Sequence, residues 1–236
     1  MLLLYWMQYV VSLCFAQEST VFWQSEIIGQ SEQHRDILVE QFGQGPHVFA
    51  IFASIHGTET IGTPLLFQFS DYIRSHPEIT RESTILLCYM VNPDGSVQGI
   101  RGNRDNIDIN RNFPVANFGR GFLNGKEPLS AIETNIIVKF LEMYQPERTL
   151  IIHQPLHGID FDGDAQELAT HISDVSGIRI QKLGSRSGSL GTYIAYTLHK
   201  EVITLEIPGS AKSKTPDWLW NRYGIVLQEF ILYPIE

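Results

Sequence analysis

In the segment Ser54-Ile55-His56-Gly57-Thr58-Glu59-Thr60 a histidine and a glutamate stand at positions i and i+3. At a strand-to-helix turn that spacing lets both side chains share a face and converge on one ion. Gly57 between them lets the backbone turn tightly. Taken alone, the pair is equally a solvated helix start with Glu59 favoured by the helix dipole. His153 closes the apolar run Leu150-Ile151-Ile152 and offers a further donor. Two histidines and one carboxylate leave the fourth tetrahedral position open for water, the arrangement of catalytic rather than structural zinc. His157, past Pro155 in an irregular segment, is a rival donor and reads as loop or substrate contact.

Glu206 stands in the otherwise apolar Val202-Ile203-Thr204-Leu205-Glu206-Ile207. Burying a carboxylate without a purpose is costly. A base there suits proton transfer from a metal-activated water to a leaving amine; the plain alternative is a glutamate facing water at a strand end. Between Arg101 and Pro114 an asparagine-rich stretch carries Arg101, Arg104 and Arg111. Arginine grips a carboxylate with two parallel hydrogen bonds and stabilises a developing oxyanion, although a solvated loop with surface ion pairs has the same composition.

The elements that must position these groups are legible as apolar runs. His47 to Ser54, Thr84 to Val91, Arg148 to His153 and Glu201 to Ile207 have strand length and are apolar on both faces. Helical patterns run from about Thr60 to Ser75, Gly163 to Ser176 and Thr215 to Leu232, the last with Pro216 in its first turn. A fourth covers Ser130 to Tyr144, with Ser130 as the expected N-cap and Glu133 as its capping-box partner. Asn92-Pro93-Asp94-Gly95 reads as a turn, and the Gly-, Asn- and Arg-rich chain from Gly95 to Pro128 as a long loop. Strands alternating with helices predict an α/β fold, a single domain with a mixed, mostly parallel sheet covered by helices on both faces. Ligands of such sheets bind beyond the carboxyl ends of the strands, where His56, Glu59, Asn92, His153 and Glu206 all fall.

A chain of 236 residues fits one core. The net charge of -9, with scattered basic residues, argues against a nucleic-acid surface. Two cysteines, Cys14 and Cys88, exclude a disulfide framework, and Cys88 lies in an apolar run that reads as core. Residues 1–16, MLLLYWMQYVVSLCFA, carry no charged side chain and end in small residues, as a secretory signal does. The expectation is a signal peptide at 1–16, a peptidase domain at 17–236 and a periplasmic or secreted protein. Without cleavage the protein is cytoplasmic. The run is short for a membrane span, so the mature chain is expected to have none, and to be a monomer or weak oligomer.

Together these motifs resemble the zinc carboxypeptidase family. The H-x-x-E pair, the Asn92 to Gly95 turn, the Arg101 to Phe113 segment ending in N-R-N-F, and a later His and Glu match in order over about three quarters of the chain. The resemblance implies one Zn2+ held by His56, Glu59 and His153, with Glu206 as general base. It places the carbonyl-polarising arginine on Arg101 and the grip on the substrate's terminal carboxylate on Asn110 and Arg111. The short interval between Glu59 and His153 resembles the compact bacterial branch, and within that branch the stretch His153 to Gly163 is most similar to the murein peptide amidases. That implies a peptide or murein peptide substrate, cut between the D-glutamyl side chain and meso-diaminopimelate, with Asp160 or Asp162 reading a distal ammonium. Digestive members carry a tyrosine on the loop before the general base. Leu183 to Leu190 has none and Tyr193 stands too late, so Arg186 and Leu190 are the candidate contacts there. The alternatives are an ordinary carboxypeptidase, an N-acyl amino acid deacylase, or an inactive peptidoglycan-binding relative.

Overall fold

The computed structural model describes residues 21–235; the expected signal peptide at 1–16, with Cys14, lies outside the described residues. The chain forms a seven-stranded sheet with β1 (Trp23–Gln30), β2 (Asp36–Phe42), β3 (His47–Phe52), β4 (Ser83–Cys88), β5 (Arg148–His153), β6 (Gly158–Asp162) and β7 (Glu201–Glu206). Its order is β1-β2-β4-β3-β5-β7-β6. The four central strands, β4, β3, β5 and β7, run parallel, and β1, β2 and β6 are added antiparallel at the two sides. The helices are α1 (Gly62–Ser75), α2 (Pro93–Gln98), α3 (Ile132–Tyr144), α4 (Gln166–Ser176), the short α5 (Leu190–Thr192) and α6 (Pro216–Leu232). Among the described residues none is long and apolar enough to cross a membrane.

Alternate residues of each central strand enter two separate cores, because successive side chains point to opposite faces. Phe49 and Ile51, Ile85 and Leu87, Leu150 and Ile152, and Ile203 and Leu205 pack with α1, α4 and α6. Phe52, Leu86, Ile151 and Val202 pack on the other face with α3 and α5. The expected doubly covered sheet is therefore present, and Cys88 is a free, buried thiol in the second core, pushed up to about 12 by burial.

Three strands lie outside the apolar runs, and two local expectations are corrected. The polar lead-in before His47 holds β1 and β2; β1 is an edge strand with mostly exposed residues and so lacks an apolar pattern. The five-residue β6 was hidden because Asp160 and Asp162 interrupt its apolarity. Asn92 begins α2 as its N-cap rather than a free turn, its side chain accepting from Gly95 N at 2.8 Å. Ser130 does not cap α3: Ala131 is the N-cap residue, its N–H donates to Asn112 Oδ1 at 2.9 Å, and Glu133 is wholly buried. A distant asparagine thus replaces the local capping box. Thr215 does cap α6, accepting from Trp218 N at 3.2 Å.

Candidate active site

The carboxyl ends of the parallel strands deliver the site. After β3, Ser54 takes a left-handed φ of 54°, and its hydroxyl, 2.9 Å from Thr63 Oγ1, holds the bend that leads to His56. A Cβ on Gly57 would fall 2.1 Å from the carbonyl carbon of Gly95, so glycine is needed there for close approach of α2 as well as for turning. The pairing of β5 with β7 sets His153 directly beside Glu206. Asn92 joins the layers, its Nδ2 donating to Gly102 O at 3.0 Å while Gly57 N donates to Arg101 O at 3.1 Å.

His56, Glu59 and His153 are all buried, and one donor atom from each lies within 4.8 Å of the others. Glu59 sits between the imidazoles, with Oε1 3.0 Å from His56 Nδ1 and Oε2 2.9 Å from His153 Nδ1. His56 Nδ1 is nevertheless misaligned for a hydrogen bond and has no partner among the described residues, although it is fully buried. The unpartnered ring nitrogen and the carboxylate are close enough to hold one ion together. The other nitrogen, Nε2, lies 2.9 Å from Asp108 Oδ1. A carboxylate behind a histidine fixes its tautomer and orients it toward a cation. Burial opposes ionisation of Glu59, but the hydrogen bond with His153 and the adjacent His56 imidazole outweigh it and hold the carboxyl well below the usual range. Burial likewise disfavours charge on His56, yet Asp108 and Glu59 raise its affinity for a proton. The cluster thus stabilises a positive charge between its carboxylates, as a divalent-metal site must.

Asp108, absent from the sequence reading, organises the rest. Its carboxyl is brought down to about 2 by the His56 hydrogen bond against the opposing effect of burial. It accepts from Arg101 Nε at 3.1 Å and from Asn110 N at 3.0 Å, and Arg101 Nη1 reaches Glu59 Oε1 at 2.6 Å. The only sequence signal for it was an acid two residues before Asn110. The loop that bears Arg101 and Asp108 closes around Asn103, whose Oδ1 accepts from Asp105 N and Ile107 N. Asn103 Nδ2 in turn donates to the buried Glu133 at 2.9 Å, so the misread capping residue anchors this loop.

Beside the three donors lies a cavity of about 270 Å³, lined by Arg101, Asn110, Arg111, Asp160, Asp162 and Arg186 as well as Glu206. Asn110 Oδ1 accepts from Leu190 N at 2.8 Å, which turns its Nδ2 to His153 Nε2 at 3.1 Å; one amide N–H remains for a ligand. Asp160 and Asp162, two apart on β6, face the cavity together and accept from Leu183 N at 3.1 Å and Ser185 Oγ at 2.7 Å. Burial raises the Asp160 carboxyl above its ordinary range. Leu190, expected as a substrate contact, is instead wholly buried in the second core and offers only its N–H to Asn110. His157 is an exposed loop residue outside the cavity wall. Tyr193 is buried and stacked near Phe113 with centroids 5.9 Å apart, so packing prevents it from replacing the missing loop tyrosine.

Glu206 is 8% exposed, and its one hydrogen bond among the described residues, from Leu156 N, is long at 3.4 Å. No cationic side chain pairs with it among the described residues. Burial first, and the charge of Glu59 second, push its carboxyl up to about 7. A buried carboxylate near neutrality beside convergent metal donors fits a proton carrier.

The zinc carboxypeptidase family model matches residues 14–158, which include His56, Glu59, Arg101, Asn110, Arg111 and His153. Murein peptide amidase A of Escherichia coli is 30% identical over 176 residues, 67% of this chain and 70% of that protein. Carboxypeptidase M of Mus musculus is 34% identical over 178 residues, 62% of this chain and 37% of its own length. Among solved structures, the murein-tripeptide amidase of Escherichia coli O157 superposes with a TM-score of 0.70 at 23% identity, covering 90% of this chain and 93% of that one. Carboxypeptidase A of Helicoverpa armigera gives 0.75 at 15% identity, covering 92% and 70%. The chain belongs to the zinc carboxypeptidase family and is a metallopeptidase.

Proposed function

We propose that the protein hydrolyses an amide bond next to a free carboxylate, with one zinc ion held by His56, Glu59 and His153. The observation that carries this reading is the unpaired, buried Glu206 directly beside His153. Zinc, when bound, supplies a Lewis acid that makes water nucleophilic near neutral pH and polarises the scissile carbonyl. Glu206 takes the proton of the attacking water and hands it to the leaving amine. Arg101 keeps Nη2 free of hydrogen-bond partners among the described residues, and it faces the developing oxyanion. Arg111, with the spare Asn110 N–H, holds the carboxylate that adjoins the bond.

Asp108 is a positioning residue here. Asp108→Asn is expected to weaken zinc binding roughly 10–100-fold in a competitive chelator titration, because it removes the negative charge that orients His56. Wild-type affinity in that variant would remove Asp108 from the scheme.

The substrate is, in our reading, a murein peptide cut between the side-chain carboxyl of D-glutamate and meso-diaminopimelate. Two buried acids on one cavity wall and arginine on another suit a leaving amine with an ammonium and a carboxylate, and the Escherichia coli relatives are named for murein peptides. Incubation with the tripeptide, with and without chelator, is expected to release diaminopimelate by mass spectrometry only without chelator. Equal cleavage of analogues carrying lysine or leucine at that position would leave the general amide reading and discard the murein one.

A further inference from the structure

Three arginines line the cavity, and they are not alike. Arg101 is committed to Glu59 and Asp108. Neither Arg111 nor Arg186 has a carboxylate partner among the described residues. Arg111 gives Nη1 to the Asn110 carbonyl at 2.5 Å; burial, Arg101 and Arg186 disfavour its positive charge, and Asp108 and Glu59 offset this only in part. Arg186 is exposed, but its backbone is anchored: its carbonyl accepts from Ser189 N at 3.1 Å and Thr192 Oγ1 at 2.8 Å. The loop is clamped onto the Arg111 segment, since Gly188 O accepts from Phe113 N at 2.9 Å and a Cβ on Gly188 would meet Arg111 O at 2.1 Å. Two unpaired guanidiniums held on crossing segments repel each other until anions arrive. A single carboxylate satisfies one of them.

We propose that Arg186 is a specificity-determining residue that binds a second carboxylate, so that the site takes leaving amines bearing two carboxylates and one ammonium. Arg111 holds the carboxylate next to the cut bond, Asp160 and Asp162 hold the ammonium, and Arg186 holds the distal carboxylate. The assignment deepens the murein-peptide reading and rests on it.

Three substrates separate these groups: γ-D-glutamyl peptides ending in norleucine, lysine or meso-diaminopimelate. Norleucine to lysine adds only the ammonium; lysine to diaminopimelate adds only the distal carboxylate. Wild-type kcat/KM is expected to favour diaminopimelate over lysine about tenfold, the value of one charge-assisted contact at a partly exposed site. In Arg186→Ala that ratio falls to near one, and in Arg186→Lys it is intermediate, because an ammonium cannot reproduce the bidentate fork. The lysine-to-norleucine ratio persists in both variants. An equal loss on all three substrates, or an unchanged diaminopimelate-to-lysine ratio in Arg186→Ala, overturns the assignment. If the wild type cleaves none of the series, the murein reading falls by itself. Arg186 is then judged by calorimetry with free meso-diaminopimelate and free lysine, where equal affinities of the wild-type protein overturn it.

Discussion

Glu206→Gln is expected to lower kcat by about 10³-fold while leaving zinc content unchanged, since positioned acid–base catalysis is worth roughly 10²–10⁴-fold. Glutamine keeps the shape and cannot carry the proton. The same substitution is expected to stabilise the metal-free protein at pH 8. Glu206 titrates near 4.5 when unfolded and about 7 when folded, so the native state binds the extra proton between those values. Wild-type stability therefore falls as pH rises from about 4.5 to 7, and the penalty stays at its full value above that window. Removing the ionisable group abolishes this penalty, on the order of 3 kcal/mol, the direction of a stability–activity trade-off. Calorimetry of chelator-treated protein at pH 8 and pH 4 checks both the sign and its disappearance in acid. Full activity in the variant would end the role of Glu206 as the base.

His153→Ala is the second large effect: turnover is expected to drop at least about 10³-fold, the wild type losing activity to the same extent on chelation and regaining it with zinc. His153 is the partner of Glu59 Oε2, and both are buried, so the truncation leaves a carboxylate oxygen with only the Gln154 N–H, at 3.0 Å, among the described residues. The variant should bind zinc weakly by metal analysis and should show little rise in Tm on adding zinc. The wild type gains about 4 kcal/mol at a metal concentration 1,000 times its Kd. Activity that survives chelation in the wild type would exclude a metal-dependent reaction altogether.

How far these groups could be read in advance depended on the range of the forces that place them. The central strands were legible because burial on both faces demands unbroken apolar runs, as in Leu150-Ile151-Ile152. The edge strand β1 was not, because one open side and exposed faces impose little pattern. Helix starts set by adjacent residues, such as Thr215 and Pro216, were also legible. The start of α3 was not, because Asn112 arrives from nineteen residues away to bond Ala131.

The site divides in the same way. Residue type and spacing by themselves picked out the three candidate metal donors that the fold brings together, the isolated glutamate in an apolar strand and the arginine-rich loop, because each carries its chemistry locally. Only the tertiary structure decided that Asp108 stands behind His56, that Glu133 anchors the loop of Arg101, that Leu190 and Tyr193 are packed away, and that Arg186 lies unpaired near Arg111. Those facts arise from contacts between segments that β-sheet register and close backbone approach bring together, and such contacts leave no periodic mark along the chain.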